Sequence, residues 1–320
     1  MMKIVDLFLC SFLLISSLTA VVDAVEVEFS SISVGRRTSE GVTAGPQDGI
    51  VFAGEFIFGS INKINITTGE ITRVYRKRFP FVRGAAGLYY DADTNLIFAA
   101  GLGTGFAGLF RSRIWVYDAD TGDTVASCGP ADGDFEAQFF NDVVAKDGYI
   151  YATDSVAPFL LKLSIADAAL GECVTESIAL PEEEFTGVAL VDSRANGIVG
   201  VEGGLIVSSF NTGGFYFVKL DDLSVTQIAS PEMTGDLLDG LLVYGDYLLC
   251  GQGPFIGVFD LDTTMEVPSI MNVTTIESSV FVSAATLAIS GDMLVVADIV
   301  LGPGENFIHV APLSDIFPLM

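Results

Sequence analysis

The feature that most constrains this chain is an internal repeat of short β-type runs. Ile50-Val51-Phe52, Leu96-Ile97-Phe98, Tyr149-Ile150-Tyr151, Leu205-Ile206-Val207, Tyr247-Leu248-Leu249 and Met293-Leu294-Val295-Val296 each follow a tight turn rich in Gly, Asp or Asn, such as Gln47-Asp48-Gly49 or Lys146-Asp147-Gly148. A third run comes next, for example Ile114-Trp115-Val116-Tyr117, then a second turn such as Thr67-Thr68-Gly69-Glu70, and then a fourth run. No helical periodicity interrupts the pattern. Four-stranded antiparallel units recurring about every 45–55 residues predict an all-β fold, a six-bladed β-propeller. The units are 39–82, 83–135, 138–185, 194–232, 237–278 and 283–313. The last lacks a fourth run after Phe307-Ile308-His309-Val310, and Val25-Glu26-Val27-Glu28-Phe29 is expected to supply it, closing the ring and removing a sheet edge.

Half of the residues are hydrophobic, enough for a large core, and 41 Asp plus Glu stand against 15 Lys plus Arg. A surface so acidic repels nucleic acid and anionic lipid. Where its carboxylates converge it attracts metal cations instead. The acidic residues are dispersed, which argues against a disordered acidic tail.

The start of the chain reads as a secretory signal over 1–24, leaving a single domain over 25–320 and a secreted protein. Lys3 precedes an apolar stretch from Leu7 to Val22, and Val22-Asp23-Ala24, or alternatively Leu18-Thr19-Ala20, offers small residues for cleavage. The alternative is a membrane anchor, for which the run is short, and no later stretch is apolar enough to span a bilayer. In an oxidising compartment Cys128 and Cys173 could pair, since both sit at the outer edge of neighbouring repeats, while Cys250 reads as a buried free thiol. No CxxC or Cys/His cluster suggests zinc. Sequons at Asn65 and Asn272 fit exposed turns of a glycoprotein.

Aligned at the start of the innermost strand, the six units read Glu40-Gly41-Val42, Ala86-Gly87-Leu88, Asn141-Asp142-Val143, Asn196-Gly197-Ile198, Asp239-Gly240-Leu241 and Ala285-Thr286-Leu287. Innermost strands line the axis of a propeller, so equivalent positions converge. Two carboxylates and two amides meeting there would repel without a cation, and an all-oxygen set of mixed charge suits Ca²⁺. Asn-Gly and Asp-Gly are also common turn dipeptides, which leaves a second reading of the same residues.

At these positions the sequence resembles the six-bladed calcium propellers that include the senescence-marker-protein-30/gluconolactonase family, the diisopropyl-fluorophosphatases and the paraoxonases. Their calcium is held by Glu, Asn, Asn or Asp, and Asp from the first, third, fourth and fifth blades, an order matched by Glu40, Asn141, Asn196 and Asp239. Phe140-Asn141-Asp142-Val143 and the run from Asp147 to Ser155 look like the third blade of gluconolactonase-like proteins. The resemblance covers Thr38 to Pro312. It implies calcium-assisted hydrolysis of a lactone or another ester, with Asp239 as base or nucleophile and Asp142 as a second candidate base. The chain departs from the paraoxonases, which place histidines near the calcium; its single histidine, His309, reads as a strand residue. The strictosidine-synthase-like propellers, a related branch, need not keep the ligands present here.

Other constellations point elsewhere. Gly101-Leu102-Gly103-Thr104-Gly105 has no helix after it to cradle a phosphate and reads as a loop at the channel mouth. Arg73, Arg76, Lys77, Arg78 and Arg83 read as a solvated blade edge, and Ser155, Ser209, Asn211 and Gln252 as possible pocket lining. No Gly-x-Ser-x-Gly motif supports an α/β hydrolase.

Overall fold

The computed structural model describes residues 23–35, 38–56, 59–75, 82–104, 110–130, 139–187, 194–210, 212–229, 237–300 and 305–317. The expected secretory signal, apart from Asp23 and Ala24, lies outside these residues, as do Arg76, Lys77, Arg78, Gly105 and Asn211.

Two N-terminal strands, β1 (Asp23–Glu26) and β2 (Ser30–Gly35), precede the repeat. The first blade is β3 (Ser39–Ala44), β4 (Ile50–Glu55), β5 (Ile61–Asn65) and β6 (Ile71–Tyr75). A two-residue strand, β7 (Val82–Arg83), leads to the second blade, β8 (Gly87–Asp91), β9 (Leu96–Thr104), β10 (Phe110–Asp118) and β11 (Thr124–Cys128). The third is β12 (Phe140–Lys146), β13 (Tyr149–Asp154), β14 (Phe159–Ser164) and β15 (Thr175–Ala179). The fourth is β16 (Ala195–Val201), β17 (Gly204–Ser209), β18 (Gly214–Lys219) and β19 (Val225–Gln227), and the fifth is β20 (Leu241–Tyr244), β21 (Tyr247–Gly251), β22 (Phe255–Asp262) and β23 (Ser269–Glu277). The sixth contributes β24 (Ala284–Ser290), β25 (Met293–Asp298) and β26 (Asn306–Pro312). Each blade is an antiparallel meander, and the whole is a six-bladed β-propeller, as the repeat predicts.

Among the described residues three short helices add to it: α1 (Ile165–Ala169), α2 (Glu182–Phe185) and α3 (Leu313–Ile316). They are too brief to show a 3.6-residue period. The Ser164 side chain caps α1 by accepting from the Asp167 N–H. Among the described residues no helix is long and apolar enough to cross a membrane.

The core explains why the second strands are continuous apolar runs rather than alternating ones. Six apolar clusters fill the gaps between adjacent blades, so each blade buries both faces. Leu248 packs toward the fourth blade and Leu249 toward the sixth; Val295 packs toward the first blade and Val296 toward the fifth.

Ring closure occurs as expected in kind but with different residues. The fourth strand of the sixth blade is β2, paired antiparallel with β26 through Ser30↔Val310 and Ser31↔His309. The expected segment instead divides: β1 pairs in parallel with β23 of the fifth blade, and Val27 and Phe29 are buried in the core between the fifth and sixth blades. The apolar alternation of Val25-Glu26-Val27-Glu28-Phe29 is real, but Val27 and Phe29 pack between the two blades.

Three smaller expectations change too. Gly101 to Thr104 belong to β9, paired with β10, rather than to a loop. Asn272 lies within β23 rather than in a turn, whereas Asn65 does open a turn, its Oδ1 accepting from the N–H groups of Thr67 and Thr68. Arg73 is not simply solvated: its Nε donates to Asn62 Oδ1 at 3.3 Å and it lies 3.7 Å from the buried carboxylate of Glu55. Cys128 and Cys173 form a disulfide between the outer parts of the second and third blades, and Cys250 is buried and free.

Candidate metal centre

The six aligned positions are neighbours around the centre. Going round, a Cβ built on Gly41 would meet Ala86 O at 2.4 Å, one on Gly87 would meet Asn141 O at 2.6 Å, one on Gly197 would meet Asp239 O at 2.3 Å, and one on Gly240 would meet Ala285 O at 2.9 Å. These contacts rule against the turn reading of the Asn-Gly and Asp-Gly pairs. None of the four glycines has a positive φ. Each is glycine because the first residue of the next blade presses against it, not because the chain turns there.

The candidate ligands sit at a repeated irregularity. In the first blade Ser39 pairs with Glu55 and Val42 with Ala53, so Glu40 and Gly41 together face the single residue Gly54. The same two-against-one bulge holds Asn141-Asp142 opposite Thr153, Asn196-Gly197 opposite Ser208 and Ala285-Thr286 opposite Ala297. A bulge bends the strand and redirects the extra side chain, which suits residues needed on an axis.

All four ring donors are buried: Glu40 is 5 %, Asn141 5 %, Asn196 4 % and Asp239 9 % exposed. Glu40 Oε2 and Asn196 Oδ1 are buried acceptors with no hydrogen-bond partner. Burial pushes the Glu40 carboxyl well above its usual range, and repulsion from Asp239 and then Asp142 adds to it. Burial likewise raises Asp239 to about 7, with repulsion from Asp142 as the next cause. Among the described residues no lysine, arginine or histidine pairs with any of these carboxylates.

Asp142, the second candidate base, is buried beside Asn141. Its oxygens are engaged, however: Oδ1 accepts from Val143 N–H at 2.8 Å and Oδ2 from Ile198 N–H at 3.2 Å. It clamps the third blade to the fourth, and burial raises it to about 7 despite those bonds. Among the described residues no three His, Cys, Asp or Glu side chains are grouped so that they alone could hold a metal. Any cation here therefore relies on the amide oxygens as well as on Glu40 and Asp239. Buried oxygen donors of mixed charge, two of them orphaned and none neutralised by a base, fit Ca²⁺ rather than zinc.

His309 takes no part. It is buried on β26, with Nδ1 2.9 Å from Ser31 Oγ and Nε2 3.3 Å from Asp298 Oδ2. It thereby stitches the closing strand β2 into its blade. Asp298 also accepts from the backbone N–H groups of Val282 and Ser283.

Ser155 and Ser209 are fully buried and Gln252 is 4 % exposed, so none lines an open pocket. Ser155 acts on the ring itself. Its Oγ donates to Ala195 O at 2.7 Å and accepts from Asn141 Nδ2 at 3.1 Å. Thr153 and Ser208, both overlooked as sequence candidates, make similar links. The signal was available, because each lies twelve residues beyond its ring asparagine.

No family model and no curated protein matches the sequence. Solved structures do match the fold. The allergen Mala s 1 of Malassezia sympodialis aligns with TM-score 0.63 and 14 % identity over 88 % of this chain and 95 % of its own. The calcium-binding protein regucalcin of Agrobacterium tumefaciens aligns with TM-score 0.62 and 12 % identity over 91 % and 95 %. A luciferin-regenerating enzyme aligns with TM-score 0.60 and 11 % identity over 88 % and 95 %. At these identities the likeness is one of fold.

Proposed function

We propose that the chain is a secreted, calcium-dependent propeller hydrolase of lactones or other esters, with Ca²⁺ held on the axis by Glu40, Asn141, Asn196 and Asp239. One observation carries this reading: Glu40 and Asp239 are buried at equivalent ring positions with no base paired to them among the described residues, and Glu40 Oε2 and Asn196 Oδ1 have no hydrogen-bond partner. The calcium-binding and enzymatic descriptions of two propellers of the same fold lend support, and the Cys128–Cys173 disulfide supports an oxidising compartment. When bound, the ion supplies Lewis acidity toward a substrate oxygen. Asp239, at the ring, is the carboxylate proposed to take a proton from water or to attack the substrate. Asp142, with both oxygens occupied by backbone N–H groups, is left as a clamp.

A non-catalytic, calcium-stabilised binding propeller is the second reading. It is favoured by His309, the only histidine, being locked between Ser31 and Asp298 in the sixth blade, away from the ring. Hydrolysis of aryl esters and lactones, measured with calcium and with chelator, separates the two. Turnover that disappears with chelator and in Asp239→Asn supports the hydrolase; no turnover by calcium-loaded protein leaves the binding module.

The ion itself is tested by melting. Calcium at a hundredfold excess over Kd is expected to add about 2.7 kcal/mol, or roughly 5 °C. Glu40→Gln removes one of the buried like charges. In chelator it should melt no lower than the wild type, and with calcium it should lose most of the gain. Equal calcium gains in both proteins would remove Glu40 from the site.

A further inference from the structure

Three buried hydroxyls tie the ring together on one side of the axis. Thr153 Oγ1 accepts from the bulged Asp142 N–H at 3.1 Å and donates to Asn196 O, in the next blade, at 2.6 Å. Ser208 Oγ repeats the pattern one blade on, accepting from the bulged Gly197 N–H at 2.8 Å and reaching Asp239 O at 3.2 Å. Ser155 Oγ joins the Asn141 side chain to Ala195 O, the residue before Asn196.

The chemistry of Ser155 determines which end of Asn141 is free. A serine hydroxyl has one proton, and a backbone carbonyl can only accept. The Ser155 proton therefore goes to Ala195 O, and Ser155 can only accept from Asn141. The amide must turn its Nδ2 toward Ser155, which leaves Oδ1 as the end available to a cation. Strand register shows that the hydroxyls at the bulge are not a general property of the fold. The positions equivalent to Thr153 and Ser208 are Gly54, Ala100, Gly251 and Ala297 in the first, second, fifth and sixth blades. At these positions hydroxyls occur only in the third and fourth blades, where they reach the carbonyls of the ring members Asn196 and Asp239; Ser155 adds the Asn141 side chain.

We propose that Thr153, Ser155 and Ser208 are positioning residues for the axial cation: they orient the Asn141 amide and set the spacing of the third, fourth and fifth ring members. This rests on the calcium reading above. Partners that orient metal ligands typically change affinity by roughly 10–100-fold when removed.

The test is a calcium titration of the full chain with the metal alone, read as Kd, beside melting in chelator. Ser155→Ala and Thr153→Val are each expected to raise Kd at least tenfold. Thr153→Ser, which keeps the hydroxyl, is expected to restore it. A purely structural role would lower the melting temperature in chelator and leave Kd unchanged, which would overturn the proposal. Thr153→Val is nearly isosteric and carries the test should Ser155→Ala not fold. If the wild type itself takes up no calcium, the metal reading fails and this inference with it. If the wild type binds and the variants bind equally well, only the positioning role fails.

Discussion

Gly197→Ala is expected to destabilise the protein by about 3 kcal/mol, the upper end of ordinary overpacking, and to lower melting by roughly 5–6 °C. The added Cβ would sit 2.3 Å from Asp239 O and 2.8 Å from Leu241 N. Both are backbone atoms of the neighbouring blade, so no side chain can swing aside. The bulge cannot yield easily either, because the Gly197 N–H is bonded to Ser208 Oγ. Relief requires the fourth and fifth blades to part at the axis, where Asn196 and Asp239 lie. The control is Gly200→Ala in the same strand, where a Cβ would first meet Lys146 Cδ at 3.3 Å, the movable end of a long side chain. Its effect should stay within about 0.5 kcal/mol. If both variants melt alike, close blade approach is not the reason for glycine at the ring.

Loss of the Cys128–Cys173 disulfide is expected to cost about 4 kcal/mol, from the loop-closure entropy of a bond whose cysteines are 45 residues apart. The bond joins the end of β11 to the segment before β15, so it staples the second blade to the third on their outer side. Thr175 Oγ1, which donates to Gly129 O at 3.1 Å, is the nearest reinforcement. Reductant should lower the melting temperature of the wild type and leave Cys128→Ala/Cys173→Ala unaffected. Cys250 is buried against Asp239 O and should not react with thiol reagents until the protein unfolds. A wild-type melting curve indifferent to reductant would show that the inter-blade core alone holds these blades together.

Much of the propeller was legible in the chain because its repeat is local. Turn, apolar run, turn and run recur within each unit, and the core between blades demands apolar residues on both faces, as at Leu248-Leu249 and Val295-Val296. The ring alignment was legible for the same reason: equivalent residues begin equivalent strands. The closing strand was harder to place. Val27 and Phe29 carry the stronger apolar signal, yet they fill the space between two blades, and the less apolar Ser30–Gly35 makes the backbone pairs.

Sequence alone determined six units, six first positions and the residue types at them. It left open whether Asn-Gly and Asp-Gly marked turns, which way Asn141 faces and what Ser155 does. Tertiary structure decided these, because each depends on backbone from the next blade: Asp239 O against Gly197, Asn196 O on Thr153 and Ala195 O on Ser155. Those partners lie some 40 residues along the chain, and only the closing of the ring sets them within hydrogen-bonding or van der Waals distance.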